Sequence, residues 1–155
     1  MAYSIATKQL QPQPVLVTVR RMKQSEIAMN LGEMFGRVFQ FAQQRGLALA
    51  GPPFARYLEM GPGLMTVQAG FPVIAASSAV PQDLAVDTLP GGLAVMTVHS
   101  GAYDRLQDAH AAIQEWIEAE RLTPSGAPWE SYVTDPGQYP DPKDWKTEVY
   151  WPLHR

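Results

Sequence analysis

The sequence predicts an α+β domain of duplicated β-α-β-β units related by pseudo-two-fold symmetry. Two long helices would pack on antiparallel sheets around a central cleft. Three observations point there. Gly51-Pro52-Pro53-Phe54-Ala55-Arg56-Tyr57 returns as Gly126-Ala127-Pro128-Trp129-Glu130-Ser131-Tyr132, both reading Gly, any, Pro, aromatic, any, any, Tyr. A second echo follows each copy, Phe71-Pro72-Val73 and then Trp151-Pro152-Leu153. Upstream of each copy lies a β-rich run and then a helical pattern. Internal duplication of this kind implies two like units, and the seam between such units is a natural ligand site.

Residues 1–14 are polar and read as a flexible leader ending at Pro12 and Pro14. Val15–Arg21 is rich in β-branched residues and reads as a strand. Ser25 is a candidate N-cap, because its hydroxyl can accept from an orphan helix N–H. Ile27, Leu31, Met34, Phe35, Val38 and Ala42 recur at three- and four-residue steps and so share a helix face. Gly46 is the expected stop. Pro52-Pro53 releases the chain into a strand, Phe54–Met60. Gly61-Pro62-Gly63 turns it, and Leu64–Val73 returns as the hairpin partner. Repeat one thus spans about 15–75.

A linker bearing Pro, Gly and Asp leads to repeat two, about 90–153. Leu93–His99 is a strand, and a helix runs from about Tyr103 to Glu120 with Leu106, Ala109, His110, Ile113, Trp116 and Ile117 on its apolar stripe. Trp129–Asp135 and Lys146–Leu153 are strands. Asp135–Pro142 between them holds three prolines and a glycine, which makes a constrained loop.

At 155 residues and 46% hydrophobic, the chain has the size and apolar content for one core. Its charge of −3 offers no overall footprint for nucleic acid. Residues 1–75 carry seven Lys/Arg against three Asp/Glu, and residues 76–155 carry five against twelve. The acidic second half suits a cationic ligand or a basic partner, and equally a solvated helix face. Without cysteine there is no disulfide, thiolate metal site or Cys nucleophile. No signal-peptide pattern and no apolar run of membrane-span length occurs, so a cytoplasmic protein is the default expectation. The three histidines lack metal-ligand spacing, and no Gly-rich loop has the phosphate-cradling pattern. Neither metal nor cofactor is expected.

The order and spacing of several pieces resemble the GyrI-like small-molecule-binding domain, found as the effector-binding domain of AraC- and MerR-type multidrug regulators. The pieces are His99-Ser100-Gly101-Ala102-Tyr103, Trp116-Ile117, Trp129-Glu130-Ser131-Tyr132, Asp135-Pro136 and Trp145–Leu153. The resemblance covers about Val15 to Leu153, and the haem-binding SOUL proteins share its architecture. A helix-turn-helix domain needs roughly 60 to 100 further residues, so the stand-alone form is expected, with no direct DNA binding. The resemblance implies a protein that takes hydrophobic, aromatic, often cationic small molecules in a cleft between the repeats.

Strand alternation sorts the candidate residues. Glu148 is favoured as the ligand's acid: it interrupts an aromatic strand and matches the acidic residue of the family's closing motif. A buried carboxylate is costly unless paired, and an organic cation with aromatic walls would compensate it. Glu130 is the rival acid, with surface placement as its plainer reading. Tyr57, Tyr132, Tyr103, Trp129 and Tyr150 would supply stacking surface, each with core packing as the alternative. Two further readings stay open. Some GyrI-like proteins hydrolyse cyclopropane-containing toxins, for which Glu148 and Tyr132 would be the catalytic pair. A gyrase-inhibitor-like protein-binding module is the other, using the acidic half against a basic partner. The state, monomer or dimer, is open.

Overall fold

The computed structural model describes residues 3–74 and 79–154. It contains strands β1 (Ala6–Leu10), β2 (Gln13–Met22), β3 (Phe54–Met60), β4 (Met65–Pro72), β5 (Ala85–Leu89), β6 (Gly92–Ser100), β7 (Trp129–Tyr132) and β8 (Lys146–Pro152), with helices α1 (Ile27–Arg45) and α2 (Leu106–Ala119). The chain forms two compact units. One comprises residues 12–90, the other residues 1–11 and 91–155. The α+β class expected from sequence is found in each. The first repeat's outer boundary, near residue 75, lies outside the described residues.

In the unit of residues 12–90, an antiparallel sheet runs β3-β4-β2-β5. One sheet face packs on α1. Leu16 and Phe71, register partners across β2 and β4, meet Val38, Phe41 and Ala42 of the helix in a buried cluster. The three helix residues sit at three- and one-residue steps on one stripe, as the periodicity requires. Gly46 ends α1 in the left-handed region at φ 64°, and the N–H of Leu47 closes onto the Ala42 carbonyl at 2.9 Å. Ser25 is not the cap. It lies within a 3₁₀ turn, Gln24–Glu26, and the Glu26 carboxylate reaches back to accept from the Lys23 N–H at 2.9 Å. Glu26 wins because its longer side chain can span a whole turn back to the entering backbone.

The second unit repeats the plan as β1-β6-β8-β7, with α2 on one face through Leu106, Ala109, Ile113 and Ile117. The repeated motifs make the same contacts. Ala50 N–H donates to Pro72 O and Ser125 N–H to Pro152 O, both at 2.8 Å. Ile74 donates to Ala48 O, and His154 to Thr123 O, at 3.1 and 2.9 Å. The Phe-Pro-Val and Trp-Pro-Leu echoes therefore clamp the chain entering Gly51 and Gly126. These glycines sit against the Pro72 and Pro152 rings, where a Cβ would come within 3.2 and 3.8 Å.

Two strands escaped the sequence reading. Residues Ala6–Leu10, expected as unstructured leader, form β1 on β6, and Ala85–Leu89, expected as linker, forms β5 on β2. Each precedes one repeat in the chain yet pairs with the first strand of the other. Both are sheet-edge strands with mostly exposed side chains, so neither needs an apolar pattern. β7 is shorter than expected, ending at Tyr132.

Candidate functional site

The sheet of the second unit has two faces, and the candidate residues divide between them. β7 places Glu130 and Tyr132 on one face, with Trp129 and Ser131 on the other. The register carries this across β8, where Glu130 lies opposite Val149, Tyr132 opposite Thr147, and Ser131 opposite Glu148. Side chains from α2 identify the first face as the helix-covered one.

Glu130 is the buried acid, at 3% exposure. The plainer sequence reading put it at the surface, because a polar residue starting a short strand commonly faces water. The helix above it overrides that. His110 of α2 reaches down so that its Nε2 lies 2.7 Å from Glu130 Oε2. Tyr132 donates its hydroxyl to Glu130 Oε1 at 2.6 Å, and the Trp151 indole N–H donates to His110 Nδ1 at 3.0 Å. Burial of a carboxylate demands such donors, since each unmet hydrogen bond there costs about 1–3 kcal/mol.

From this buried end an aromatic row leads outward. Tyr103, in the 3₁₀ turn before α2, lies edge-on to Tyr132 with centroids 5.3 Å apart, and Trp145 lies 4.7 Å beyond Tyr103. Tyr103 and Trp145 are half-buried. Trp145 is held by its indole N–H, which donates to the Tyr139 carbonyl at 2.6 Å, so the proline-rich loop fixes the ring. Burial, then the charges of Asp135 and Glu130, push the Tyr103 phenol above its ordinary value. On the same face Thr147, fully buried, has a hydroxyl with no hydrogen-bond partner. A buried orphan hydroxyl is uncommon in folded proteins and often marks where a ligand or water group belongs.

The opposite face carries Glu148, Tyr150 and Trp129. Glu148 is half-buried and accepts from the Tyr150 hydroxyl at 2.9 Å. Trp129 stacks on Tyr150 with centroids 5.3 Å apart and 16° between planes. Burial, then the hydrogen bond to Glu148 and that acid's charge, push the Tyr150 phenol well above the tyrosine range. Glu148 and Tyr132, paired in the hydrolase expectation, therefore lie on opposite sheet faces; the acid on Tyr132 is Glu130. In the other unit Tyr57 is buried on the α1 side of its sheet, opposite Val67 of β4.

His110 was the residue the sequence reading undervalued. From sequence it was only one member of the apolar stripe of α2, yet both of its ring nitrogens have polar partners. Only the tertiary contact reveals that its partner is an acid twenty residues on.

Other features fit a ligand less well. A cavity of about 380 Å³ in the first unit is lined by Thr18, Arg20, Arg37 and Asp83 among others. Both guanidinium groups are already engaged, Arg37 bidentately with Asp83 and Arg20 with Glu33 and Asn30. Among the described residues no group of three His, Asp or Glu could hold a metal ion, and no helix is long and apolar enough to cross a membrane.

Two β-α-β-β units, each with one helix on a four-stranded antiparallel sheet, define a class of duplicated α+β domains. The chain belongs to the GyrI-like small molecule binding domain family, whose model matches residues 2–154. No curated protein is similar enough in sequence to count as a match. Among solved structures, the chain is similar to the EcmrR C-terminal domain, with 23% identity, TM-score 0.87, and 100% of this chain and 99% of that one covered. It spans only 58% of the EcmrR chain in the EcmrR–DNA complex, at 20% identity, TM-score 0.85 and 99% of this chain. SAV2435 bound to tetraphenylphosphonium is 16% identical, with TM-score 0.63 over 99% of this chain and 94% of that one. A hydrolase from Listeria innocua is 10% identical, with TM-score 0.62 over 97% and 91%.

Proposed function

We propose that this protein binds hydrophobic aromatic cations, with Glu130 supplying the negative charge and Tyr132, Tyr103 and Trp145 the stacking surface. The observation that carries the reading is the buried Glu130 carboxylate at the inner end of an aromatic row whose outer members are half-buried. The hydrogen bonds from Tyr132 and His110 hold both oxygens of the Glu130 carboxylate in a fixed orientation. Aromatic faces attract a cation through their quadrupoles, most strongly where water is excluded. The orphan hydroxyl of Thr147 adds a polar contact on the same face. That SAV2435 is described with tetraphenylphosphonium makes this cation the natural probe.

Glu148 is the alternative acid. Its face offers the Trp129–Tyr150 stack, but Glu148 is less buried, so a charge there competes with water. The two acids are separated by titrating tetraphenylphosphonium and the isosteric anion tetraphenylborate into wild type, Glu130→Gln and Glu148→Gln. The proposal expects the cation preference to fall in Glu130→Gln alone. Loss in Glu148→Gln alone would move the site to the helix-free face. Equal binding of both ions by the wild type would sink the cation reading.

A further inference from the structure

The bonds around Glu130 fix more than its position. An indole N–H donates and cannot accept. At 3.0 Å from His110 Nδ1, the Trp151 N–H requires a lone pair there. The single ring proton of His110 is then on Nε2, where it is donated to Glu130 Oε2 at 2.7 Å. A doubly protonated ring would set N–H against N–H at the Trp151 end. The imidazole is thus presented to the acid as a neutral donor of defined tautomer. Trp151 is itself fixed, buried in β8 at the position opposite Val95 of β6, with its ring 5.9 Å from that of His110. Glu130 of β7 and Trp151 of β8 both bond the ring, and Tyr132 holds the other oxygen of Glu130, with Tyr103 beyond Tyr132.

We propose that His110, held in one tautomer between Trp151 and Glu130, is a positioning residue that determines the charge specificity of the site. It anchors one oxygen of Glu130 without bringing a positive charge of its own, so alignment of the carboxylate does not come at the expense of its attraction for a cation. An arginine or lysine in that place would orient the acid equally well and neutralise it. The inference rests on the reading of Glu130 as the ligand's acid, and assigns the tautomer lock as the reason that acid selects cations. The same geometry explains why a histidine sits on the apolar stripe of α2, where leucine would pack as well but carries no N–H for Glu130 Oε2.

The test has two parts. Long-range ¹H–¹⁵N correlation of the histidine rings in the free full-length protein should show His110 with a protonated Nε2 and a bare Nδ1. In Trp151→Phe the bare Nδ1 loses its donor, so its ¹⁵N resonance should shift while the Nε2–H, held by the Glu130 carboxylate, persists. The second part is the ratio of tetraphenylphosphonium to tetraphenylborate affinity. His110→Ala should lower it about tenfold, the lower end for a hydrogen bond to a charged group. His110→Gln, whose side-chain N–H₂ can take the place of Nε2–H, should restore most of it, and His110→Lys should abolish it. An Nδ1–H tautomer in the wild type would overturn the lock whatever the ligand data say. An unchanged ratio in His110→Ala and His110→Lys would overturn the specificity role while leaving Glu130 as the ligand's acid. If His110→Ala does not fold, His110→Lys and Trp151→Phe still decide the matter. A wild type with no cation preference would overturn the ligand reading and this role with it, but not the tautomer.

Discussion

Replacing Glu130 by glutamine removes one charge and almost nothing else. The amide oxygen can accept from His110 Nε2–H, which now sees an oxygen where Oε2 stood at 2.7 Å. The amide N–H₂ can donate to the Tyr132 oxygen, since a phenol oxygen accepts as well as donates. The reverse placement fails, because Trp151 already claims the bare nitrogen of His110 and the ring cannot switch tautomer to receive an amide N–H. One satisfactory arrangement exists, so the fold should lose only about 1 kcal/mol, the net worth of a hydrogen bond weakened from charged to neutral. Binding of a cation should suffer more. A unit charge about 5 Å from the carboxylate gains about 3 kcal/mol at an effective dielectric of about 20. Desolvation of the ligand takes part of this back, leaving about 1.5–3 kcal/mol, or about a 10- to 150-fold loss of affinity. Calorimetric titration of tetraphenylphosphonium, with tetraphenylborate as the shape control and a thermal melt of both proteins, measures each quantity. Affinity for the cation within twofold of wild type, in a variant that melts normally, would refute the assignment of Glu130.

Gly70→Ala should prevent folding or cost at least about 3 kcal/mol, because the new Cβ would run into the backbone carbonyl oxygen of Leu16, which belongs to the paired strand and cannot move aside; a melt near wild type would contradict this. Arg121→Gly should stabilise the protein by about 0.5–1 kcal/mol. Arg121 occupies the left-handed region at φ 57° where α2 ends, the place Gly46 takes after α1, and a denaturant titration would read the gain. Ile113→Ala, at 0% exposure under α2, should cost about 2–5 kcal/mol, whereas Met29→Ala, 66% exposed on α1, should stay within about 0.5 kcal/mol. Tyr150 should resist ionisation past the ordinary tyrosine range, followed by absorbance at 295 nm; because folding raises its pKa, the native state keeps a proton the unfolded chain has released, so its contribution is full below pH about 10 and is lost as pH rises further. Glu148→Gln should move that titration down part of the way, since burial remains.

The sequence by itself determined the duplication, the class of fold and most of the elements. Periodicity at three and four residues found α1 and α2 because each buries one stripe on a sheet, and Gly46 marked a stop because only glycine enters the left-handed region without strain. The paired Gly-x-Pro-aromatic motifs were legible because the same backbone clamp recurs in each unit. The edge strands β1 and β5 were not. An exposed edge strand buries little, so nothing forces alternation upon it, and each pairs with a strand from the other repeat. Glu130, Tyr132 and Tyr103 were named as candidates from sequence, and Trp145 only as part of a motif, but their arrangement was not legible there. Period-two alternation showed that Glu130 and Tyr132 share a face. It could not show that α2 covers that face, or that His110 and Trp151, distant in the chain, would meet there. Burial and hydrogen bonding depend on which surfaces come together in space. A chain pattern records only which residues turn the same way, so tertiary structure alone made Glu130 a buried, oriented acid.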